Sequence, residues 1–99
     1  MREVAIVSPV RTAVGNFGGG LKDIPAAELG ATVIKAVLER TGLDPNKIDE
    51  VILWHGYPNG EEPAIGRLCA LKADLPIEVP GYQLDRRCSS GLQSILNAC

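Results

Sequence analysis

Glu50-Val51-Ile52-Leu53-Trp54, then His55-Gly56-Tyr57-Pro58-Asn59-Gly60, then Pro63-Ala64-Ile65-Gly66-Arg67-Leu68-Cys69-Ala70-Leu71, is the stretch whose reading decides the fold. A short continuous apolar run, Val51 to Leu53, bounded by a loop rich in Gly and Pro, predicts a strand buried on both faces, as in a parallel sheet. The following segment predicts a helix that Pro63 opens, with Ala64, Ile65, Leu68, Cys69 and Leu71 on its apolar face. Leu75-Pro76 stops it. Strand, loop and helix in this order make one unit of an α/β layer.

The same unit is predicted on either side. Val4-Ala5-Ile6-Val7 is a second continuous apolar run and predicts a first strand. The stretch 11–23 contains Gly15, Gly18, Gly19 and Gly20 without periodicity and predicts a conformationally demanding loop. Ala26, Leu29, Val33, Ile34, Val37 and Leu38 keep the spacing of one buried helical face, with Pro25 suited to the first turn and Gly42 to the end. Ile77 to Leu84 predicts a third strand. It carries Pro80 and Gly81, and because proline cannot donate to a ladder, this strand is expected at an edge or bulged. An unpaired edge invites a partner chain. Ser89 to Cys99 predicts a last helix with Leu92, Ile95, Leu96 and Cys99 on one side. Asn97-Ala98-Cys99 brings neither a glycine cap nor a basic last turn, which predicts a helix cut in mid-course. The expected fold is thus an α/β βαβαβα segment with a mainly parallel sheet, without internal repeats.

Composition narrows the function. The 99 residues are 45% hydrophobic and 22% charged, the balance of a globular chain with one small core. Ten basic and twelve acidic residues leave a formal charge of −2, and the one cluster of cations is Arg86-Arg87. Nucleic acid is therefore not an expected partner. No apolar stretch nears the ~20 residues of a membrane helix, and no basic leader with a cleavage site opens the chain, so neither a membrane nor secretion is expected. The default compartment is cytoplasmic. Cys69, Cys88 and Cys99 form no C-x-x-C pair, so neither a disulfide scaffold nor a metal site is expected.

Several residues could carry chemistry. Gly15-Asn16-Phe17-Gly18-Gly19-Gly20-Leu21-Lys22-Asp23 stands between a strand and a helix, where phosphate-binding loops occur. Its glycines do not follow G-x-G-x-x-G, Leu21 separates the last glycine from Lys22, and Asp23 stands where a hydroxyl is needed. It is read as a demanding connection. His55 closes a strand, where ligands gather in parallel sheets, but it has no second histidine or carboxylate at ligand spacing and is read as a polar loop residue. Glu61-Glu62 precede a helix and are expected to favour its positive N-terminal end. Cys69 lies in an apolar helical stripe, so packing is expected, and Cys99 is read the same way. Cys99 is about three turns from Cys88, roughly 16 Å, too far for a disulfide.

Asp85-Arg86-Arg87-Cys88-Ser89-Ser90-Gly91-Leu92 is the strongest constellation. It sets a cysteine at the turn from a strand into a helix, where free backbone N–H groups, the helix dipole and two arginines favour the thiolate. Thiolate is the nucleophilic form, and the same N–H groups can stabilise an oxyanion on an attacked carbonyl. Gly91 lets a substrate or another backbone come close. On these grounds alone Cys88 is either a nucleophile or a small buried residue that starts a helix.

These motifs together resemble the N-terminal part of the thiolase family, the acetyl-CoA acetyltransferases and 3-ketoacyl-CoA thiolases. Val4-Ala5-Ile6-Val7-Ser8 and Arg11-Thr12-Ala13-Val14-Gly15-Asn16-Phe17-Gly18-Gly19 look like that family's first strand and its R-T-P-x-G-x-F-G loop. Leu29-Gly30, Arg67, Leu75-Pro76 and Cys88-Ser89-Ser90-Gly91-Leu92 follow in family order. The match covers essentially the whole chain as a partial N-terminal domain over 1–99, ending in or near the helix after Cys88.

The resemblance implies that Cys88 is the acyl-carrying nucleophile, with its own backbone N–H contributing to an oxyanion hole. It implies acyl-CoA and CoA as substrates, no permanently bound cofactor, and Claisen condensation of acetyl-CoA or thiolytic cleavage of 3-ketoacyl-CoA. The family's activating histidine and its second cysteine, in a C-x-G segment, are not matched by His55, Cys69 or Cys99. Nor is the coenzyme A loop domain, which comes later in the family's chain. A homodimer or homotetramer is implied, and the edge strand Ile77 to Leu84 is expected to meet its two-fold mate. Two residues depart from the pattern. Ala13 stands where proline is usual and slackens the loop, while Asp85 stands where asparagine is common and could pair with Arg86 or Arg87 or raise the thiol pKa. The rival readings are a ketoacyl-synthase-type condensing enzyme, which takes acyl groups from a carrier protein, and a non-catalytic truncated fragment acting only in assembly.

Overall fold

The computed structural model describes residues 2–99. Helix α1 spans Ala26–Thr41, with Pro25 in the N-cap position and Ala27 and Ala31 turned to the buried side. Gly42 ends it in the left-handed region, φ 64°, and donates its N–H to the Leu38 carbonyl at 2.9 Å. This is the glycine stop that the sequence predicts. A 3-10 turn, Pro45–Lys47, leads into strand β1, Val51–Trp54.

Strand β1 pairs in parallel with β2, Gly81–Leu84, with Val51 opposite Gly81 and Trp54 opposite Leu84. Parallel neighbours need a crossover, and helix α2, Ile65–Lys72, is that crossover. It lies against the pair with almost no gap. A Cβ on Gly66 would come within 2.3 Å of the Tyr82 carbonyl oxygen and 2.7 Å of that of Val51, and one on Gly81 within 2.6 Å of the Arg67 nitrogen. A Cβ on Gly30 of α1 would fall 2.4 Å from the Cys69 sulfur of α2. The core follows from this close approach. Ala31, Val51, Ala70, Ala73, Leu75 and Val79 form one buried cluster, and Ala27, Ile65 and Cys69 a second.

Five expectations are corrected. Val4-Ala5-Ile6-Val7 is not a strand, and Val4, Ile6 and Val7 are 54%, 72% and 65% exposed. The sheet among the described residues has two strands, so this run has no ladder partner, and strand formation depends on such a partner more than on an apolar run. The third strand is shorter than Ile77 to Leu84. Pro76 to Val79 form a turn, closed by the Val79 N–H on the Pro76 carbonyl at 3.0 Å, and pairing starts at Gly81. Pro80 cannot donate, but its carbonyl accepts from the Val51 N–H at 3.0 Å. Helix α2 begins at Ile65 rather than at Pro63, because Ala64 is left-handed at φ 48°. Helix α3 covers Ser90–Ala98, behind a 3-10 turn at Arg87–Ser89. Cys99 is exposed rather than packed, as are Leu92, Ile95 and Leu96, since no element covers that face of α3 among the described residues. Among the described residues no helix is long and apolar enough to cross a membrane.

Candidate active site

Because β1 and β2 are parallel, the loops that follow them leave the sheet at the same end. Crevices beyond the carboxyl ends of parallel strands are where ligands gather in open α/β sheets. One loop carries His55 to Gly60, and the other carries Asp85, Arg86 and the 3-10 turn Arg87–Ser89 with Cys88 at its centre.

Cys88 is an exposed free thiol rather than a small buried residue. Its turn is closed by the Ser89 N–H on the Arg86 carbonyl at 3.1 Å and by the Ser90 N–H on the Arg87 carbonyl. The Cys88 N–H has no acceptor among the described residues. Ser90 anchors the turn from below: it is fully buried, and its Oγ accepts from the Arg86 N–H at 2.7 Å. Gly91 has open space where a Cβ would stand, so the approach to Cys88 from the first turn of α3 is unobstructed there.

The residues before the thiol are held tightly. Arg87 is left-handed at φ 49°, a conformation rare for a residue with a side chain. Asp85 accepts the Arg87 N–H on Oδ1 at 2.8 Å and pairs with the Arg87 guanidinium through Oδ2. Of the roles open to Asp85, the one found is pairing with Arg87, while Arg86 turns away to donate to Gln93 Oε1 at 2.6 Å. Arg87 also donates to the Gly56 carbonyl at 2.9 Å and lies over the Tyr57 ring, 5.7 Å from its centroid. The loop after β1 is thereby tied to the turn after β2.

His55 is not joined to Cys88 by any hydrogen bond. Its Nδ1 is buried without a partner among the described residues, and it borders a cleft of about 580 Å³ shared with Lys22, Pro25, Asn59, Glu62 and Lys72. Glu62 corrects the expectation for the acidic pair. Its carboxylate does not serve the helix that follows it. Oε1 accepts the Ala27 N–H of α1 at 2.7 Å, a long-range N-cap. That backbone donor holds the Glu62 carboxyl below its ordinary range against the opposing effect of burial. Asn59 braces the loop by accepting the N–H groups of Glu61 and Glu62 at 3.0 and 2.9 Å. Cys69 packs as expected: it is fully buried, and burial pushes its thiol up to about 11. The glycine-rich segment is a connection whose own turns close it, with the Gly19 N–H on the Asn16 carbonyl at 2.9 Å and Gly18 at φ 69°.

Three contributors escape a reading by chemistry-bearing motifs. Gly66 and Gly81 set the distance from α2 to the sheet, and a glycine inside a helix opposite a glycine opening a strand is the one local signal of it. Arg67 donates to the carbonyls of Val79 and Ile77, the latter at 2.8 Å, and so fixes the turn that delivers β2.

The sequence pattern of the family described as thiolase, N-terminal domain, matches residues 4–99. The chain belongs to the thiolase family. Among its thiolase relatives, an acetyl-CoA acetyltransferase of Chromobacterium violaceum is 50% identical over 93 residues, 94% of this chain and 24% of the relative. One from Cupriavidus necator is 48% identical over 98 residues, 99% of this chain and 25% of the relative. The crystal structure of the Bacillus anthracis acetyl-CoA acetyltransferase superposes with a TM-score of 0.81 at 42% identity, over 85% of this chain and 21% of that one. The chain thus spans about a quarter of the length of the curated relatives it matches.

Proposed function

We propose that this chain contributes the nucleophile-bearing turn of an acyl-CoA acyltransferase of the thiolase type, with Cys88 carrying the acyl group. The observation that carries the reading is the placement of an exposed, free Cys88, with an uncommitted backbone N–H, where β2 turns into α3. The names of the relatives, acetyl-CoA acetyltransferases, support acetyl-CoA as a substrate.

In the proposed step the Cys88 sulfur, as thiolate, attacks the carbonyl carbon of an acyl-CoA. The carbonyl π electrons move to oxygen, where the Cys88 N–H donates to the oxyanion. Collapse breaks the bond from that carbon to the CoA sulfur. CoA leaves as a thiolate and takes up the proton that a base has removed from Cys88, leaving an acyl-thioester on the protein. In condensation, the deprotonated α-carbon of a second acetyl-CoA attacks that thioester, forms the carbon–carbon bond and returns Cys88 as thiolate. Thiolysis is the reverse. The base and the second proton-handling group belong, by the family resemblance, to residues that His55, Cys69 and Cys99 do not match. CoA thioesters are substrates here, with no resident cofactor, and the setting is cytoplasmic.

Assembly as a homodimer or homotetramer through Ile77 to Leu84 belongs to the same proposal. It is supported by the exposure of Ile77, 66%, and by β2 having no further strand beyond it among the described residues. Labelling with iodoacetamide between about pH 6 and 8, read cysteine by cysteine by mass spectrometry, tests the nucleophile, with exposed Cys99 as the internal reference. Cys88 is expected to react faster than Cys99 and faster than a model thiol. Equal rates would remove the case for a turn that activates Cys88 and favour a non-catalytic piece.

A further inference from the structure

We propose that Arg87 and Asp85 form a positioning latch, which holds the turn carrying Cys88 in its reactive geometry by tying it to the loop after β1. This rests on the reading of Cys88 as nucleophile. Arg87 is a positioning residue in it, since its side chain points to Asp85, Gly56 and Tyr57 and is already engaged by all three.

The backbone poses the problem that the latch solves. Cys88 follows directly on a residue at φ 49°, a region that crowds the Cβ of an L residue against the following carbonyl oxygen. Glycine would adopt it freely, yet arginine stands there. Such a conformation persists where the surroundings over-determine it. Here the restraints are four. The Arg87 N–H donates to Asp85 Oδ1 at 2.8 Å, and Asp85 Oδ2 pairs with the guanidinium of the same residue. The guanidinium donates to the Gly56 carbonyl at 2.9 Å and stacks over Tyr57, with 5.7 Å to the ring centroid, within cation–π range. One carboxylate thus holds both the backbone and the side chain of Arg87, and that side chain reaches across to the neighbouring βα loop. Charge-assisted bonds of this kind are roughly twice as strong as neutral ones. Cys88 Sγ and the free Cys88 N–H are the next atoms along the chain, so their direction is set by this clamp on one side and by buried Ser90 on the other.

A guanidinium tether and a permissive backbone make opposite forecasts for glycine. If the tether matters, Arg87→Gly relieves the φ cost but frees the turn, and the reactivity of Cys88 falls as far as in Arg87→Ala. The experiment is site-resolved iodoacetamide labelling of the 99-residue chain and its variants at constant pH, read as the rate at Cys88 divided by that at Cys99, with thermal melting recorded in parallel. Arg87 and Asp85 are exposed, so their variants are expected to melt near the wild type. Arg87→Ala, Arg87→Gly and Asp85→Ala are each expected to lower the ratio by about five- to tenfold, the effect of losing one ordinary hydrogen bond at an exposed site. Asp85→Asn keeps an acceptor for the Arg87 N–H and is expected to recover most of the loss seen in Asp85→Ala. The double variant Asp85→Ala/Arg87→Ala is expected to fall no further than either single one, because the two act as a unit.

A wild-type ratio above one that stays unchanged in Arg87→Ala overturns the latch and leaves the nucleophile reading standing. Full reactivity in Arg87→Gly also overturns it, since backbone freedom would then suffice. A wild-type ratio of one overturns the nucleophile reading, and the latch with it.

Discussion

Replacing Gly66 with alanine adds a single methyl group and is expected to destabilise the chain more than most larger changes. A Cβ at this position would stand 2.3 Å from the Tyr82 carbonyl oxygen, 2.7 Å from that of Val51 and 2.9 Å from the Tyr82 nitrogen. All three atoms are backbone of the paired strands, so no side chain can swing aside, and α2 must lift from the sheet. Inside a helix alanine is favoured over glycine by about 0.8–1 kcal/mol, while overpacking costs about 1–3 kcal/mol. With rigid backbone on three sides the upper end of that cost applies, giving a net loss of about 2 kcal/mol. For a domain of this size that lowers Tm by roughly 8–16 °C. Gly91→Ala is the control, because nothing lies within 4 Å of its added Cβ. It is expected to gain about 0.5 kcal/mol from helix propensity alone. Urea unfolding followed by circular dichroism and Trp54 fluorescence measures both. A Gly66→Ala chain as stable as the wild type, or stabilised like Gly91→Ala, would refute the claim that contact between α2 and the sheet backbone sets this layer.

Glu62→Ala, which strips the N-cap from α1, is expected to cost about 1 kcal/mol in the same assay. The Glu62 carboxyl is held below its ordinary range in the fold, so its contribution is present above the unfolded pKa and fades as pH falls through the folded one. Glu62→Gln should therefore flatten the loss of stability on acidification, and an unchanged acid limb would contradict the assignment. Cys69, with its thiol pushed up to about 11 by burial, is expected to resist alkylation at neutral pH and to label once the chain is unfolded in urea; prompt native labelling would mean that the contact between α1 and α2 is open. Arg67→Ala loses two bonds to the carbonyls of Ile77 and Val79 and is expected to cost about 1–2 kcal/mol, with Arg67→Lys recovering less than half because lysine lacks the planar fork.

Helix α1 was legible in the sequence because three independent signals agree there: the apolar spacing, Pro25 before the first turn and Gly42 after the last. Strand β1 was legible because its apolar run is bounded by breakers. The parallel pairing followed from the helix that separates the two strands. Val4 to Val7 carry the same local signal as Val51 to Leu53 without the same result, since hydrophobicity marks a segment able to pair and only a ladder partner makes it a strand. Ile77 to Val79 failed for a different reason: Arg67, ten and twelve residues earlier, takes up their carbonyls and bends them into a turn.

At the site, Cys88 stood out because a cysteine beside Ser-Ser-Gly at a strand-to-helix turn is a local pattern. The partners of Arg87 were not legible, because Gly56 lies 31 residues away in sequence and comes near only when β1 and β2 pair. Glu62 hides its partner in the same way. Its neighbours in sequence form α2, but the N–H that it accepts, from Ala27, is 35 residues distant.

The central claim, that Cys88 carries the acyl group, is tested most directly by grafting. The 99 residues replace the matching segment of the Cupriavidus necator acetyl-CoA acetyltransferase, to which they are 48% identical, and the chimera is incubated with acetyl-CoA, quenched in acid and mapped by mass spectrometry. The account predicts one acetyl group, labile to hydroxylamine, on Cys88, and none in a folded Cys88→Ala chimera. An acetyl group on another residue, or a folded chimera whose Cys88 stays free, would contradict it.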